Sequence, residues 1–155
     1  MPRKIDTIII HCSASPHGTV GLIDEWHRAR GWKGCGYHYV ICNCYSTSTS
    51  WVMKRPEPDL DGLLQTGRPL DNDIWLEGDE IGAHAYGFNR TSVGICLIGD
   101  RHFTSRQLDT LHQLILKLKN NYYGADVRVV GHYELDDKKT CPNLDMDYLR
   151  SVYNS

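Results

Sequence analysis

Three short apolar runs constrain the fold of this chain most: Thr7-Ile8-Ile9-Ile10-His11-Cys12, Ser92-Val93-Gly94-Ile95-Cys96-Leu97-Ile98 and Val127-Arg128-Val129-Val130. They are rich in β-branched residues, so each reads as a strand, the first two as buried ones. Gly36–Cys44 is aromatic and β-branched and reads as another strand, and Leu63–Thr66 as a short one closed by Gly67 and Pro69. Between them the period changes. Thr104 and Gln107 form a capping box at the head of a helix running to Asn121. Its core stripe is Leu108, Leu111, Leu114, Ile115 and Leu118, and Gly124 closes it. Thr19 caps a second helix to about Arg30, with Val20, Ile23, Trp26 and the Arg30 stem on one face and Gly31 as its stop. Asp145–Val152 reads as a last short helix, and Gly82–Asn89 as a loop. Strands alternating with helices make an α/β protein, a central mixed β-sheet flanked by helices.

The 155 residues suffice for one domain, 1–155, at roughly 100–200 residues per domain. A chain this long builds a core without a disulfide or a structural metal, so a metal here is expected to be functional. Lys and Arg total 17 against 19 Asp and Glu, which excludes binding of nucleic acid or of an anionic membrane by bulk charge. The apolar run after Thr7 is too short for a signal-peptide core or a membrane span, so the chain is expected to be soluble and cytoplasmic as synthesised. The six cysteines, Cys12, Cys35, Cys42, Cys44, Cys96 and Cys141, are then expected to be thiols.

The chemistry concentrates at strand ends. His11 ends the first run, His132 follows the last, and Cys141 comes nine residues later in Lys138-Lys139-Thr140-Cys141-Pro142. If the fold brings those ends together, two imidazoles and a thiolate leave a fourth position open, the composition of a catalytic zinc site. Taken singly, a strand-end histidine is more often a hydrogen-bonded core or surface group, and a cysteine before proline a small buried hydrophobe. A thiol hydrolase using Cys12 or Cys141 with a histidine base is a competing reading. Against it, His11 and Cys12 are adjacent on a strand and point to opposite faces.

In order along the chain, Ile8-Ile9-Ile10-His11-Cys12-Ser13-Ala14, Trp26-His27, Arg30-Gly31-Trp32, Gly36-Tyr37-His38, Gly67-Arg68, Gly82-Ala83-His84-Ala85, Gly87-Phe88-Asn89, Ser92–Gly99, Gly131-His132 and Lys139-Thr140-Cys141-Pro142 resemble the zinc-dependent N-acetylmuramoyl-L-alanine amidases. This is the amidase type 2 family, shared by phage endolysins and peptidoglycan recognition proteins. The resemblance implies a mixed sheet with a zinc cleft on one face. It implies hydrolysis of the amide between the lactyl group of N-acetylmuramic acid and L-alanine in peptidoglycan or muropeptides, by a monomer acting on the wall after release or on wall fragments. It places Zn²⁺ on His11, His132 and Cys141, catalysis on Tyr37 and Lys139, and substrate contact on His84 and Asn89.

Amide hydrolysis fits that set. Zinc lowers the pKa of bound water to about 7. Lys139 or Tyr37 can face the oxyanion, and the Tyr37 phenol can relay the proton the leaving amine needs. Lys138 competes with Lys139, which the short link to Cys141 favours. Residues 45–61, with Trp51, Pro56 and Pro58, read as an insertion that extends the sheet or walls the cleft. Family members that lack the cysteine ligand bind wall fragments without cutting them, so a peptidoglycan-binding module is the alternative, disfavoured by Cys141. His27, His38, His102 and His112 read as structural, with His112 on the exposed side of its helix, and Trp26 reads as core.

Overall fold

The structure, a computed structural model, describes residues 2–124 and 126–153. In chain order the elements are β1 (Arg3–Lys4), β2 (Thr7–Cys12), α1 (Val20–Ala29), β3 (Tyr39–Ile41), α2 (Ser48–Val52), β4 (Leu64–Thr66), β5 (Trp75–Leu76), β6 (Ser92–Leu97), α3 (Ser105–Leu118), β7 (Arg128–Gly131) and α4 (Met146–Tyr153). The central sheet has five strands in the order β4-β3-β6-β2-β7. β2 pairs in parallel with both β6 and β7, β3 with β6, and β4 closes one edge antiparallel to β3. The fold is the expected mixed α/β arrangement. β1 and β5 form a separate two-stranded ribbon whose two-residue strands carry no periodicity to read.

The sheet's two faces are built differently. On one, Ile8, Ile10, Ile41, Val93, Ile95 and Leu97 pack against Leu111, Leu114, Ile115 and Leu118 of α3 and Met146 and Leu149 of α4. Leu111, Leu114, Ile115 and Leu118 of the expected stripe are buried, Leu108 is only half-buried and outside the core cluster, and Thr104 and Gln107 do form a capping box. Gln107 is also fully buried, and its Nε2 donates to the carbonyls of Ile41, the last residue of β3, and Ile98, just past β6. The helix stops at Leu118 rather than Asn121, and a single wide π-turn, Lys119–Tyr123, carries the chain to Gly124 at φ +83°.

The other face carries α1 and the loop 82–89. α1 buries Ile23 and His27, with Val20 and Trp26 half-buried beside them. The inward residue of its last turn is His27, not Arg30. Its ring is held there because its Nδ1 accepts from the Gly36 amide at 2.8 Å. The expected strand over 36–44 shrinks to Tyr39–Ile41. Gly36 is drawn off into hydrogen bonds with His27 and with the amide of Ala83.

Residues 45–61 carry two short helical elements. Thr47 and Ser50 form a capping box at the head of α2, and Pro58–Leu60 add one 3₁₀ turn. This segment does not extend the sheet. Together with the segment 99–104 it encloses a cavity of about 510 Å³ lined by Tyr45, Trp51 and Phe103. Among the described residues no helix is long and apolar enough to cross a membrane.

Candidate metal centre and its cleft

Register decides the site. The β2–β7 ladder sets Ile10 opposite Gly131, so His11 and His132 leave the sheet side by side at the carboxyl ends of two neighbouring parallel strands. The chain then turns through residues 132–140 and returns, and the Tyr133 amide donates to the Cys141 carbonyl at 2.9 Å. That bond holds the loop closed and brings Cys141 back to the strand ends. The result is a His11–His132–Cys141 group whose donor atoms all lie within 4.8 Å of one another.

Both imidazoles turn Nδ1 toward Cys141 Sγ, each at 3.8 Å. Zinc–ligand bonds of about 2.0–2.1 Å to nitrogen and about 2.3 Å to sulfur, at a tetrahedral angle, put N and S about 3.6 Å apart. The donor set and its spacing therefore fit zinc. Burial, then His84, His132 and Lys139, hold His11 well below the usual imidazole pKa, and burial and Lys139 lower His132. Both rings are thus neutral near pH 7, the form that offers a lone pair. The Cys12 thiol beside it and burial push the Cys141 thiol up, so loss of its proton awaits a cation. Cys12 itself has Cys141 and Asn143 Nδ2 for neighbours, not an imidazole base.

The group floors a cleft of about 670 Å³, walled by Arg30, Trp32, Tyr37, Tyr86 and Lys139 among others. The Tyr37 ring sits 5.1 Å from His11 and 5.6 Å from His27, centroid to centroid. Burial raises its phenol well above the ordinary value.

The sequence profile of the N-acetylmuramoyl-L-alanine amidases matches residues 1–144. The chain belongs to that family. The endolysin of Escherichia phage T7 is 34% identical over 157 residues, covering 93% of this chain and 84% of the phage protein. Among solved structures, an endolysin N-acetylmuramoyl-L-alanine amidase from Clostridium intestinale superposes with a TM-score of 0.73 at 26% identity, covering 97% of this chain and 84% of that one. The Drosophila peptidoglycan recognition protein LB superposes at 0.63 with 26% identity, covering 92% and 79%. The chain is a peptidoglycan amidase, as the motifs imply.

All seven expected site residues of this amidase line the one cleft. Lys138 and Lys139 are both exposed there, but the Lys139 ammonium is the one that bears on both His11 and His132. His84 and Asn89 are engaged internally. Asn89 Oδ1 accepts from the amides of His84 and Ala85, each at 2.9 Å, bracing the loop. His84 Nδ1 lies 2.9 Å from His11 Nε2, and its Nε2 lies 3.3 Å from Ser92 Oγ.

His38 is structural: its Nδ1 accepts from the Gly94 amide, its Nε2 donates to the Glu80 carbonyl, and burial holds it at about 4. His112 is not on the exposed side of α3, because Tyr153 of α4 stacks on it at 5.2 Å. Ser92 and Gly94 also belong to the site, beside His84, and neither is marked by a motif of its own. The only local signal was a serine and a glycine alternating with apolar residues in β6.

Proposed function

We propose that this amidase acts through a zinc ion held by His11 Nδ1, His132 Nδ1 and Cys141 Sγ, with Tyr37 and Lys139 as its catalytic side chains. The observation that carries this is the 3.8 Å approach of both Nδ1 atoms to Cys141 Sγ on the floor of the cleft. Zinc, when bound, supplies Lewis acidity and a hydroxide nucleophile near neutral pH.

The chain's own groups do the rest. The lactyl–alanine amide lies over the three ligands, and Trp32, Tyr86 and Arg30 wall the cleft on either side. Lys139 brings a positive charge to the side where the carbonyl oxygen becomes an oxyanion. Burial raises the Tyr37 phenol, so Tyr37 does not remain as the phenolate: its hydroxyl hands a proton to the departing L-alanine amine and takes one back from the attacking water. The neutral imidazoles of His11 and His132 keep their lone pairs for the metal and take no proton from the substrate.

The metal and catalytic groups all come from one chain, so the amidase acts as a monomer, with residues 1–155 as one catalytic unit and 45–61 as an insertion beside it. Made in the cytoplasm, it meets peptidoglycan on release or as wall fragments. The deciding experiment is purified muropeptide with stem-peptide release as the readout. Dialysis against a chelator should stop release, and one equivalent of zinc should restore it. Full activity in the stripped protein overturns the metal assignment.

A further inference from the structure

We propose that His84 is a positioning residue that fixes the tautomer and ring orientation of the metal ligand His11, rather than a substrate-binding one. This rests on the zinc reading of His11, His132 and Cys141. The Phe88 carbonyl can only accept, and Ser92 Oγ lies 2.7 Å from it, so the serine hydrogen is committed there. Ser92 Oγ then faces His84 Nε2, at 3.3 Å, with a lone pair, and His84 must carry its proton on Nε2. His84 Nδ1 is therefore an acceptor. It lies 2.9 Å from His11 Nε2, which must carry the hydrogen. A neutral imidazole has one N–H, so His11 Nδ1 is bare, and it is Nδ1 that points at Cys141 Sγ. Every proton in the row is set by its last member.

The fold spends backbone on holding this ring. A Cβ on Gly94, in the middle of β6, would lie 2.6 Å from His84 Cγ and 2.7 Å from its Nδ1. A Cβ on Gly82 would lie 2.7 Å from His84 Cδ2. Two glycines thus open the slot in which the imidazole lies, one of them inside a strand, where glycine is otherwise unfavourable. Asn89 Oδ1 pins the loop that delivers the ring, by accepting the amides of His84 and Ala85. Both His84 ring nitrogens are occupied within the protein, which leaves none for a ligand. An outer partner of this kind is worth 10–100-fold in metal affinity.

The test separates positioning from substrate contact. Long-range ¹H–¹⁵N NMR of the metal-free wild type should show His11 as the Nε2–H tautomer. His84→Ala should give a mixture and weaken zinc binding 10–100-fold in a chelator competition. His84→Gln, whose Oε1 can accept from His11, should recover part of the affinity. Gly94→Ala touches no ligand and should reproduce the loss by displacing the ring. If His84→Ala binds zinc like the wild type and only raises KM, His84 is a substrate contact and the proposal is overturned. If His84→Ala does not fold, the wild-type spectrum decides, and an Nδ1–H tautomer at His11 overturns it. Wild-type protein that binds no zinc sinks the metal reading and this one together. Zinc bound equally by wild type and His84→Ala sinks this one alone.

Discussion

The two faces of the central sheet share every strand yet are made of different material. Within β6, Val93, Ile95 and Leu97 pack on α3 and α4, while Ser92, Gly94 and Cys96 look the other way. Both sets are buried. The first face is a close-packed aliphatic layer whose work is stability. The second is lined by small residues because rings lie on it: His84 over Gly94, with Tyr37 beside Cys96. β2 divides likewise, with Ile8 and Ile10 to the aliphatic side and Ile9 and His11 to the cleft. A site built from buried imidazoles needs room and hydrogen-bond partners more than it needs volume. Small residues supply the room, and carbonyls, amides and a serine supply the partners.

That contrast can be broken from either side. The largest effect should come from Cys141→Ser, which removes a donor from the cleft face. Zinc content should fall to background and stem-peptide release with it, while unfolding free energy without metal changes by no more than about 1 kcal/mol. A variant that keeps its zinc, or that fails to fold, contradicts the division. The converse is Ile95→Ala, on the aliphatic face with its side chain fully buried. It should cost about 2–5 kcal/mol in urea unfolding while leaving the zinc dissociation constant unchanged.

Acid should act on the cleft face selectively. Burial holds His38 at about 4, and the unfolded value is near 6.5. Between those values the unfolded chain binds a proton that the folded one refuses. Stability is therefore full above about pH 6.5 and falls as pH drops toward 4, by about 3 kcal/mol for this group. His11, His27, His84 and His132 are lowered as well and act in the same direction. Metal-free His38→Gln should show a shallower decline over that window, and an unchanged slope would remove His38 as a cause.

Smaller effects sharpen the assignment within the cleft. Tyr37→Phe and Lys139→Ala should each keep full zinc and lose on the order of 10²-fold in kcat. The double variant should lose less than the product, as groups acting together do. Lys138→Ala should be nearly silent. If instead Lys138→Ala is the inactive one, the lysine assignment moves by one position.

Much of this was legible in the sequence because it is local. The capping box of Thr104 and Gln107, the α3 stripe and the buried runs of β2 and β6 rest on interactions a few residues apart, and their periods can be read directly. The helix α2 within residues 45–61 was not legible, since it has five residues and its capping box uses serine, not glutamate or glutamine, as the second partner. Nor was the half-burial of His112, which depends on a partner 41 residues away in α4.

By itself, then, the sequence determined the principal strands β2, β6 and β7, the helices α1, α3 and α4, their order, and the donor types His11, His132 and Cys141, together with the motif order that marks the family. Only the tertiary structure decided that these donors meet. The β2–β7 register sets Ile10 against Gly131, and a slip of one residue would send one imidazole to the opposite face. Only it decided that His84 spends both ring nitrogens inside the protein. The reason is physical. Periodicity reports which face a residue takes within its own element, whereas hydrogen-bond direction and charge proximity belong to pairs such as His11 and His84, 73 residues apart.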